Sequence, residues 1–402
     1  MKPFPRVTHA NWGYPPHNRW SFQHIQELFP TCRLARGQST SLNLPTQSRD
    51  ILPLRFQSAV GSNASISDFL ATAFCDAFLV VQGGRVIAEH YSNEMNGSSA
   101  HLLNSVTKSF VGMLAGIAVE HGQLDPSSLV TRYLPELDNA AWRGTTVRHL
   151  LDMTAAARYA EDYANPSTDF WMEAAVVGWR AELVTPETPQ SLLDYARSLA
   201  GQDMENGSRF QYRSVATNVL GLVIERAMAA PLATLLETGI WSMLATAHDA
   251  AIVVDGTGFP YVAAGMNATA RDLANFGVMM INDGTLGGRQ VIPAAWIADT
   301  VRGDSNSVEC FARGNYGSFM PGWHYRNQVW VASRDPALML AIGIHGQFVY
   351  MDKARDLVIV MLSSQPQSID LLLYQDALTA MSVIASWLSE SPAPAKRQGA
   401  SG

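Results

Sequence analysis

A chain of 402 residues, 47% hydrophobic and 16% charged, can bury a large core, as two lobes sharing one cleft, and its balance excludes global disorder. Its net charge of −7 gives no electrostatic footprint for nucleic acid, and no basic amphipathic stretch marks a membrane surface. The three cysteines, Cys32, Cys75 and Cys310, form neither a CxxC pair nor a disulfide framework; with no signal-peptide core after Met1-Lys2-Pro3-Phe4-Pro5-Arg6 and no apolar run near membrane-span length, a reducing, cytoplasmic location is expected.

Residues 1–65, rich in Pro, Asn, Ser and aromatics, are expected to form an N-terminal arm wrapping the body, with one helix over 21–28 and Trp12, Trp20 and Phe22 pinning it down. From Ala77, two β-rich runs flank Gly83-Gly84 and predict a hairpin. A polar loop over 93–100 leads into Asn104-Ser105-Val106-Thr107-Lys108 and then an apolar, small-residue run to Val119 that reads as a buried helix. Helical periodicity recurs over 129–137, 147–153, 190–199 and 218–229, which makes the middle third helical. A helix over 268–282 starts with Thr269 as N-cap. Strand character returns over 329–332, 338–344, 348–351 and 357–362, followed by a helix over 371–388 and a tail, 389–402, expected to be disordered. No internal repeat is visible. This order predicts an α+β fold: an antiparallel sheet covered by helices, built from 66–104 and 265–388, with a mostly helical domain, 105–264, inserted and a cleft at the junction.

Three stretches carry the chemistry. In a helix, Ser105 and Lys108 share a face one turn apart, at an entrance where free backbone N–H groups and the dipole favour an alkoxide or an oxyanion. Of the four lysines, only Lys108 opens an apolar helix, and burial there lowers an amine's pKa, which suits a proton acceptor. A lysine snorkelling to solvent is the plainer alternative, and Ser-x-x-Lys alone is common by chance. Tyr212, on a loop before the 218–229 helix, can pass a proton if a neighbouring cation lowers its pKa; otherwise it is a packed turn residue. Gly343 and its neighbours can expose a backbone N–H from an edge strand to a substrate carbonyl.

Ser-x-x-Lys on a helix, a tyrosine about a hundred residues on and a late glycine-bearing strand follow the order of the serine β-lactamase and penicillin-binding protein group. Within it the chain resembles the 6-aminohexanoate-dimer (nylon-oligomer) hydrolases, relatives of class C β-lactamases and their esterase cousins. The resemblance runs through His17-Asn18-Arg19-Trp20, Asp76-Ala77-Phe78-Leu79-Val80, Ser105-Val106-Thr107-Lys108-Ser109, Glu161-Asp162-Tyr163, Gly178-Trp179-Arg180, Phe210-Gln211-Tyr212, Thr269-Ala270-Arg271-Asp272-Leu273-Ala274 and Gly343-Ile344-His345-Gly346-Gln347. It implies a β-lactamase/DD-peptidase-like fold and a serine hydrolase acting on small amides or esters through an acyl-enzyme. It also implies Ser105 as nucleophile, Lys108 and Tyr212 as the acid–base pair, and the N–H groups of Ser105 and Ile344 as the oxyanion hole. Tyr163 would close over the substrate, with Ile342, His345 and Trp330 beside it. No cofactor, metal, nucleic acid or membrane partner is implied, and a homodimer is compatible with this reading.

Two positions depart from the family. The acidic residue that holds a substrate amine falls at Ala174, with Glu173 one residue out of register, and the Lys-Thr-Gly strand motif is replaced by Ala341-Ile342-Gly343. Both favour an ester or a less polar amide. The alternatives are a carboxylesterase of the same group with little amidase activity and a non-hydrolytic penicillin-binding sensor. An α/β-hydrolase would need a Gly-x-Ser-x-Gly elbow, and a metallohydrolase a His-Glu-x-x-His helix; neither occurs. His345 and His149 read more simply as satisfied structural histidines. Trp171, Trp179, Trp323 and Trp330 are candidates to line the acyl pocket.

Overall fold

Gly83 and Gly84 have φ of +57° and +65°, the left-handed values that a two-residue hairpin turn requires, and they join strands Cys75–Gln82 and Arg85–Tyr91. This hairpin forms one side of a seven-stranded antiparallel sheet, because Cys75–Gln82 pairs with the last strand of the chain, Leu357–Ser363. The remaining strands follow outward in reverse sequence order: Gln347–Asp352, Ala337–Gly343, Val329–Arg334 and His324–Arg326. The computed structural model describes residues 6–38, 41–42 and 44–390.

Strand alternation puts neighbouring side chains on opposite faces. Val349 and Val358 meet the helix Ala270–Ile281 at Gly277, where a Cβ would lie 2.5 Å from Val358 Cγ1. Phe348, on the other face, packs its ring 5.2 Å from that of Tyr374 in the helix Leu371–Glu390. The sheet is therefore covered by helices on both faces. Thr269 caps the first of these helices as expected, accepting from the N–H of Asp272 at 3.1 Å.

Several elements differ from the sequence reading. The expected helix over 21–28 is two short ones, Asn18–Ser21 and Ile25–Leu28. The arm also supplies a strand, Thr31–Leu34, that pairs with Ala250–Val253 in a second, four-stranded sheet, so the region read as helical contributes a strand as well. Helices Asp169–Val176, Leu232–Gly239, Ala294–Arg302 and Ser305–Arg313 have no counterpart in the reading; each is nine residues or shorter, too few for a clear apolar period. Leu371–Glu390 is long and apolar enough to cross a membrane by length and composition, which corrects the expectation that no such run exists. In the fold its Ala377, Ala380, Met381, Ile384, Ala385 and Leu388 are buried. This helix takes in Ser389 and Glu390, and the remainder of the expected disordered tail lies outside the described residues.

The helix that follows Ser105, Thr107–Glu120, is the buried centre of the molecule, with eleven of its fourteen residues buried. It lies so close to its neighbours that two positions admit no side chain. A Cβ on Gly112 would sit 1.9 Å from the carbonyl oxygen of Asn327, and one on Gly116 would sit 2.4 Å from the Trp296 ring. Alanine is the better helix former by about 1 kcal/mol, but overpacking against fixed backbone costs about 1–3 kcal/mol. Gly112→Ala is therefore expected to lower the urea midpoint, and a midpoint equal to or above that of the parent would refute the close approach.

Candidate active site

Ser105 sits in a 3₁₀ turn, Asn104–Val106, that feeds directly into the Thr107–Glu120 helix. Asn104 holds the turn in the left-handed region at φ +46°, which asparagine tolerates better than most residues. Its side-chain amide donates to the carbonyl of Ile344 at 3.1 Å, tying the serine turn to the end of the Ala337–Gly343 strand. A Cβ on Gly343 would fall 2.7 Å from the Leu103 carbonyl oxygen and 3.0 Å from the Ser105 nitrogen. Glycine is what allows the strand end and the Ser105 backbone to come together. The N–H of His345 donates to the Ser368 carbonyl at 2.8 Å, so the Ile344 backbone is pinned from both sides.

Lys108 is 1% exposed, and its Nζ has three partners: Ser105 Oγ at 3.0 Å, Ser214 Oγ at 3.0 Å and the Ala263 carbonyl at 2.7 Å. Burial pulls the amine down to about 8, against the charges of Glu161 and Glu173, which favour the ammonium. The partners also orient it. The Ala263 carbonyl can only accept, and the Ser214 hydroxyl has its own proton committed to Glu161 Oε1 at 2.8 Å. These two acceptors take two N–H bonds, and the remaining direction of the nitrogen faces Ser105. In the neutral amine that direction holds the lone pair, the arrangement a general base for the Ser105 proton needs. Glu161 also accepts from the N–H of Ser214 at 2.6 Å and from the hydroxyl of Tyr163.

The ring of Tyr212 lies over this amine, with Lys108 Nζ 4.9 Å from its centroid, and stacks on Trp330 at 5.6 Å. Burial pushes the phenol well above its ordinary range, with Tyr325 and Glu161 adding to the shift and a hydrogen bond to Ser105 opposing it. The hydroxyl is therefore a proton donor in the resting site, and Lys108 is the group placed to accept. Beneath the lysine, the Asn218 side chain accepts from the N–H of Ala263 at 3.0 Å and donates to the buried carboxyl of Glu173, which Tyr159 also contacts. Burial pushes Glu173 up to about 8, opposed by Tyr159, Lys108 and Asn218 and reinforced by Glu161.

The cleft has two lobes. The narrow one, about 70 Å³, is lined by Ser105, Tyr212, Trp330, Ile342, Gly343 and a set of aromatics that includes Tyr316, Phe319 and Tyr374. The broad one, about 510 Å³, runs past Asn104 and Ile344 to Trp171, Trp179 and Arg180. Tyr163, Ile344, Ser368 and Ile369 border both. Ser105, Lys108, Tyr212, Tyr163, Ile342, Ile344 and Trp330 are thus brought together. His345 lines the broad lobe, but its ring is occupied: Nδ1 donates to the Gln365 carbonyl at 2.7 Å, Nε2 accepts from Ser368 at 3.2 Å, and burial lowers its pKa to about 4. It fixes the wall instead of offering a free group to a ligand. His149 is likewise occupied, its Nδ1 accepting from the N–H of Thr146 at 3.1 Å in a helix cap. Trp171 and Trp179 line the broad lobe, and Trp323 lines neither.

Sequence reasoning missed Glu161, Ser214 and the aromatics at 316, 319 and 374. The first two stand inside quoted motifs, Glu161-Asp162-Tyr163 and Tyr212-Arg213-Ser214, but their meeting depends on a contact across 53 residues. Ala174 and Glu173, the positions weighed for an amine anchor, are both buried and line neither lobe.

The Beta-lactamase family model matches residues 65–380. The chain is 33% identical over 359 residues to the 6-aminohexanoate-dimer hydrolase of Paenarthrobacter ureafaciens, covering 89% of this chain and 88% of the relative. Among solved structures it is similar to the "Putative 6-aminohexanoate-dimer hydrolase from Bacillus anthracis", with a TM-score of 0.87 and 25% identity over 96% of this chain and 98% of that one. It shares its fold with a family VIII carboxylesterase, at a TM-score of 0.54 and 16% identity over 76% of this chain and 92% of that one.

Glu173 gives the site a pH signature in stability. An unfolded glutamate titrates near pH ~4.3, whereas this one holds its proton until about 8. Between those values the unfolded chain has lost a proton that the folded chain keeps, so stability falls as pH rises across the window. Glu173→Gln, neutral at every pH and of similar shape, is expected to flatten the decline in melting temperature between about pH 5 and pH 8; curves parallel to the parent's would contradict the assignment.

Proposed function

The chain belongs to the Beta-lactamase family and is a serine hydrolase of amide or ester bonds; from that premise we propose that Ser105, Lys108 and Tyr212 carry the reaction on small carboxylic-acid amides and esters. One observation supports this above the others: a dry amine 3.0 Å from the Ser105 hydroxyl, with its other two hydrogen-bonding directions already taken by acceptors.

Ser105 Oγ attacks the substrate carbonyl carbon and its proton passes to Lys108 Nζ. The developing oxyanion is held by the N–H groups of Ser105 and Ile344. As the tetrahedral intermediate collapses, the Tyr212 hydroxyl gives its proton to the departing oxygen or nitrogen and is resupplied from Lys108. Water then attacks the acyl ester, with Lys108 again as base, and the acid is released. Ser214 and Glu161 act as positioning residues, holding the amine by the hydrogen bonds that direct it at Ser105. The acyl chain occupies the narrow aromatic lobe that contains the nucleophile, and the leaving group the broad lobe.

Tyr163 stands between the lobes. Its proton is engaged by Glu161, so its oxygen is left as an acceptor. The N–H of a scissile amide can donate to it, while an ester has no such hydrogen. The three free cysteines, Cys32, Cys75 and Cys310, suit a reducing compartment, and we place the enzyme in the cytoplasm.

Three measurements test this reading. Ser105→Ala should lower kcat/KM on short p-nitrophenyl esters by roughly 10³-fold or more; retained turnover would remove the nucleophile. In the parent enzyme kcat/KM should rise with pH through about 8 as Lys108 loses its proton, and level off above. Glu161→Gln deletes a charge that favours the ammonium, so its inflection should move to lower pH; an unmoved inflection would separate the profile from Lys108. Tyr163→Phe should cost more on amides than on matched esters, and an equal loss on both would count against its role as acceptor.

A further inference from the structure

His17-Asn18-Arg19-Trp20, on the N-terminal arm, takes no part in the chemistry at Ser105, yet Asn18 is wholly buried. Its Nδ2 donates to two successive carbonyls far along the chain, Ser364 at 3.1 Å and Gln365 at 3.0 Å. Its Oδ1 has no protein partner among the described residues, so the contact is made through the N–H pair alone. An amide half of which goes unpaired is a poor choice for packing by itself. Arg19 reaches the same loop. Its Nη1 donates to the Ser364 hydroxyl at 3.2 Å and to the Phe74 carbonyl at 2.9 Å, and the Ser364 hydroxyl donates to Asp76 Oδ2 at 2.6 Å. With both Nη1 protons so placed, its 3.0 Å approach to Asp76 Oδ1 is a charge contact without a hydrogen bond.

The loop that Asn18 holds is the one that fixes His345. The Gln365 carbonyl that accepts from Asn18 also accepts from His345 Nδ1 at 2.7 Å, and the Gln365 N–H donates to the His345 carbonyl at 3.2 Å. The His345 N–H donates to the Ser368 carbonyl at 2.8 Å. His345 has φ +61°, a left-handed conformation that a residue with a Cβ keeps only where its surroundings over-determine it. The residue before it is Ile344, whose N–H is one of the two oxyanion donors. On the other side of the hole, the Phe22 carbonyl accepts from the N–H of Leu102, at 2.7 Å, on the strand that leads to the Ser105 turn. The Phe22 ring lies 5.2 Å from that of His345. The arm therefore touches both halves of the hole.

We propose that Asn18 is a positioning residue of the oxyanion hole: by clamping the loop over 364–368 it holds His345 in its left-handed conformation and so aims the Ile344 N–H at the developing oxyanion. This deepens the reading of Ser105 as nucleophile and rests on it. A donor moved out of line stabilises the developing charge less, while ground-state binding of the substrate is left nearly as it was. The clamp thus acts on the chemical step, although the arm contacts no reacting atom.

The test compares Asn18→Ala with Trp142→Phe on p-nitrophenyl hexanoate. Trp142 is as deeply buried, donates to the Ala196 carbonyl at 2.9 Å and lines neither lobe, so its variant reports the loss of a buried donor away from the site. Asn18→Ala should lower kcat and kcat/KM together by about tenfold, less than the loss of a whole oxyanion donor, with KM within about twofold of the parent's. Hexylboronic acid gives a second readout. Its boron accepts the Ser105 oxygen, the serine proton passes to Lys108, and a boron hydroxyl enters the hole as the oxyanion would. Its Ki should rise in Asn18→Ala by a similar factor, roughly tenfold. Trp142→Phe should lower the melting temperature and leave kcat and Ki near the parent's. The proposal is overturned if kcat or Ki in Asn18→Ala stays at the parent value, or if Trp142→Phe loses as much of each. If Asn18→Ala does not fold, Ser364→Ala decides, since it cuts the link from Arg19 and Asp76 to the same loop. A fall in kcat matched by a rise in Ki supports the clamp, and parent values of both overturn it. A parent that neither hydrolyses the ester nor binds the boronate contradicts the Ser105 reading instead, and the inference falls with it.

Discussion

The site depends on the burial of one amine among acceptors that cannot reciprocate. A lysine in water keeps its proton at neutral pH and makes a poor base. Removing Lys108 from water brings its pKa down to about 8, and the Ala263 carbonyl and the Ser214 oxygen fix which way the nitrogen points. Desolvation alone would drive the amine further down and leave it free to rotate. The negative charge of Glu161 offsets part of that penalty, so the group stays close enough to its working range to take a proton and return it. The tuning is a balance between removing water and keeping the Glu161 carboxylate nearby.

That balance also explains why the helical region and the sheet must meet here. Ser105 and Lys108 come from the central helix, Ser214 from the start of Ser214–Met228, Glu161 from a loop, Ala263 from the turn before Met266–Thr269, and Gly343 from the sheet. None of these elements can form the site alone. The glycine contacts at 112 and 343 let backbones approach where side chains would hold them apart. Packing of the core and placement of the reacting atoms are here the same problem, and a shift of the strand end would disturb the Ser105 N–H and the Ile344 peptide together.

Much of this could be read from the residues. Gly83-Gly84 between β-rich runs specified its hairpin, and the long apolar helices and late strands were legible because each has a clear period. Ser105, Lys108 and Tyr212 were legible because their chemistry is unusual at their positions, a lone lysine in an apolar helix above all. Glu161 and Ser214 were not, since a serine and a glutamate in loops carry no local signal and acquire meaning only by touching. The arm's strand, Thr31–Leu34, was hidden for a related reason: its partner Ala250–Val253 lies over two hundred residues away, and four residues are too few to show alternation. The same limit hid Arg180. It stands within the quoted Gly178-Trp179-Arg180, but nothing in that tripeptide tells that the guanidinium will lie beside the rings of Trp171 and Tyr14 in the wall of the broad lobe.

The two lobes then divide recognition by physical type. The narrow one is walled by Trp330, Tyr316, Phe319 and Tyr374 and offers an acyl chain contact area with few hydrogen bonds, so it discriminates by length and girth, which is a weak filter. The broad one is lined by Trp171, Trp179, Asn104, Tyr163 and Arg180, so apolar and polar contacts mix along its wall. With Glu173 committed to Tyr159 and Asn218, no acidic group from that helix reaches the cleft to hold an ammonium. A carboxyl placed at that depth, keeping its proton until about 8, holds Asn218 beneath the catalytic amine instead of meeting the substrate. The helix face that could have selected a cationic end is thereby spent on the network under Lys108, where Glu173 accepts from Asn218, Asn218 accepts from the N–H of Ala263, and the Ala263 carbonyl holds the amine.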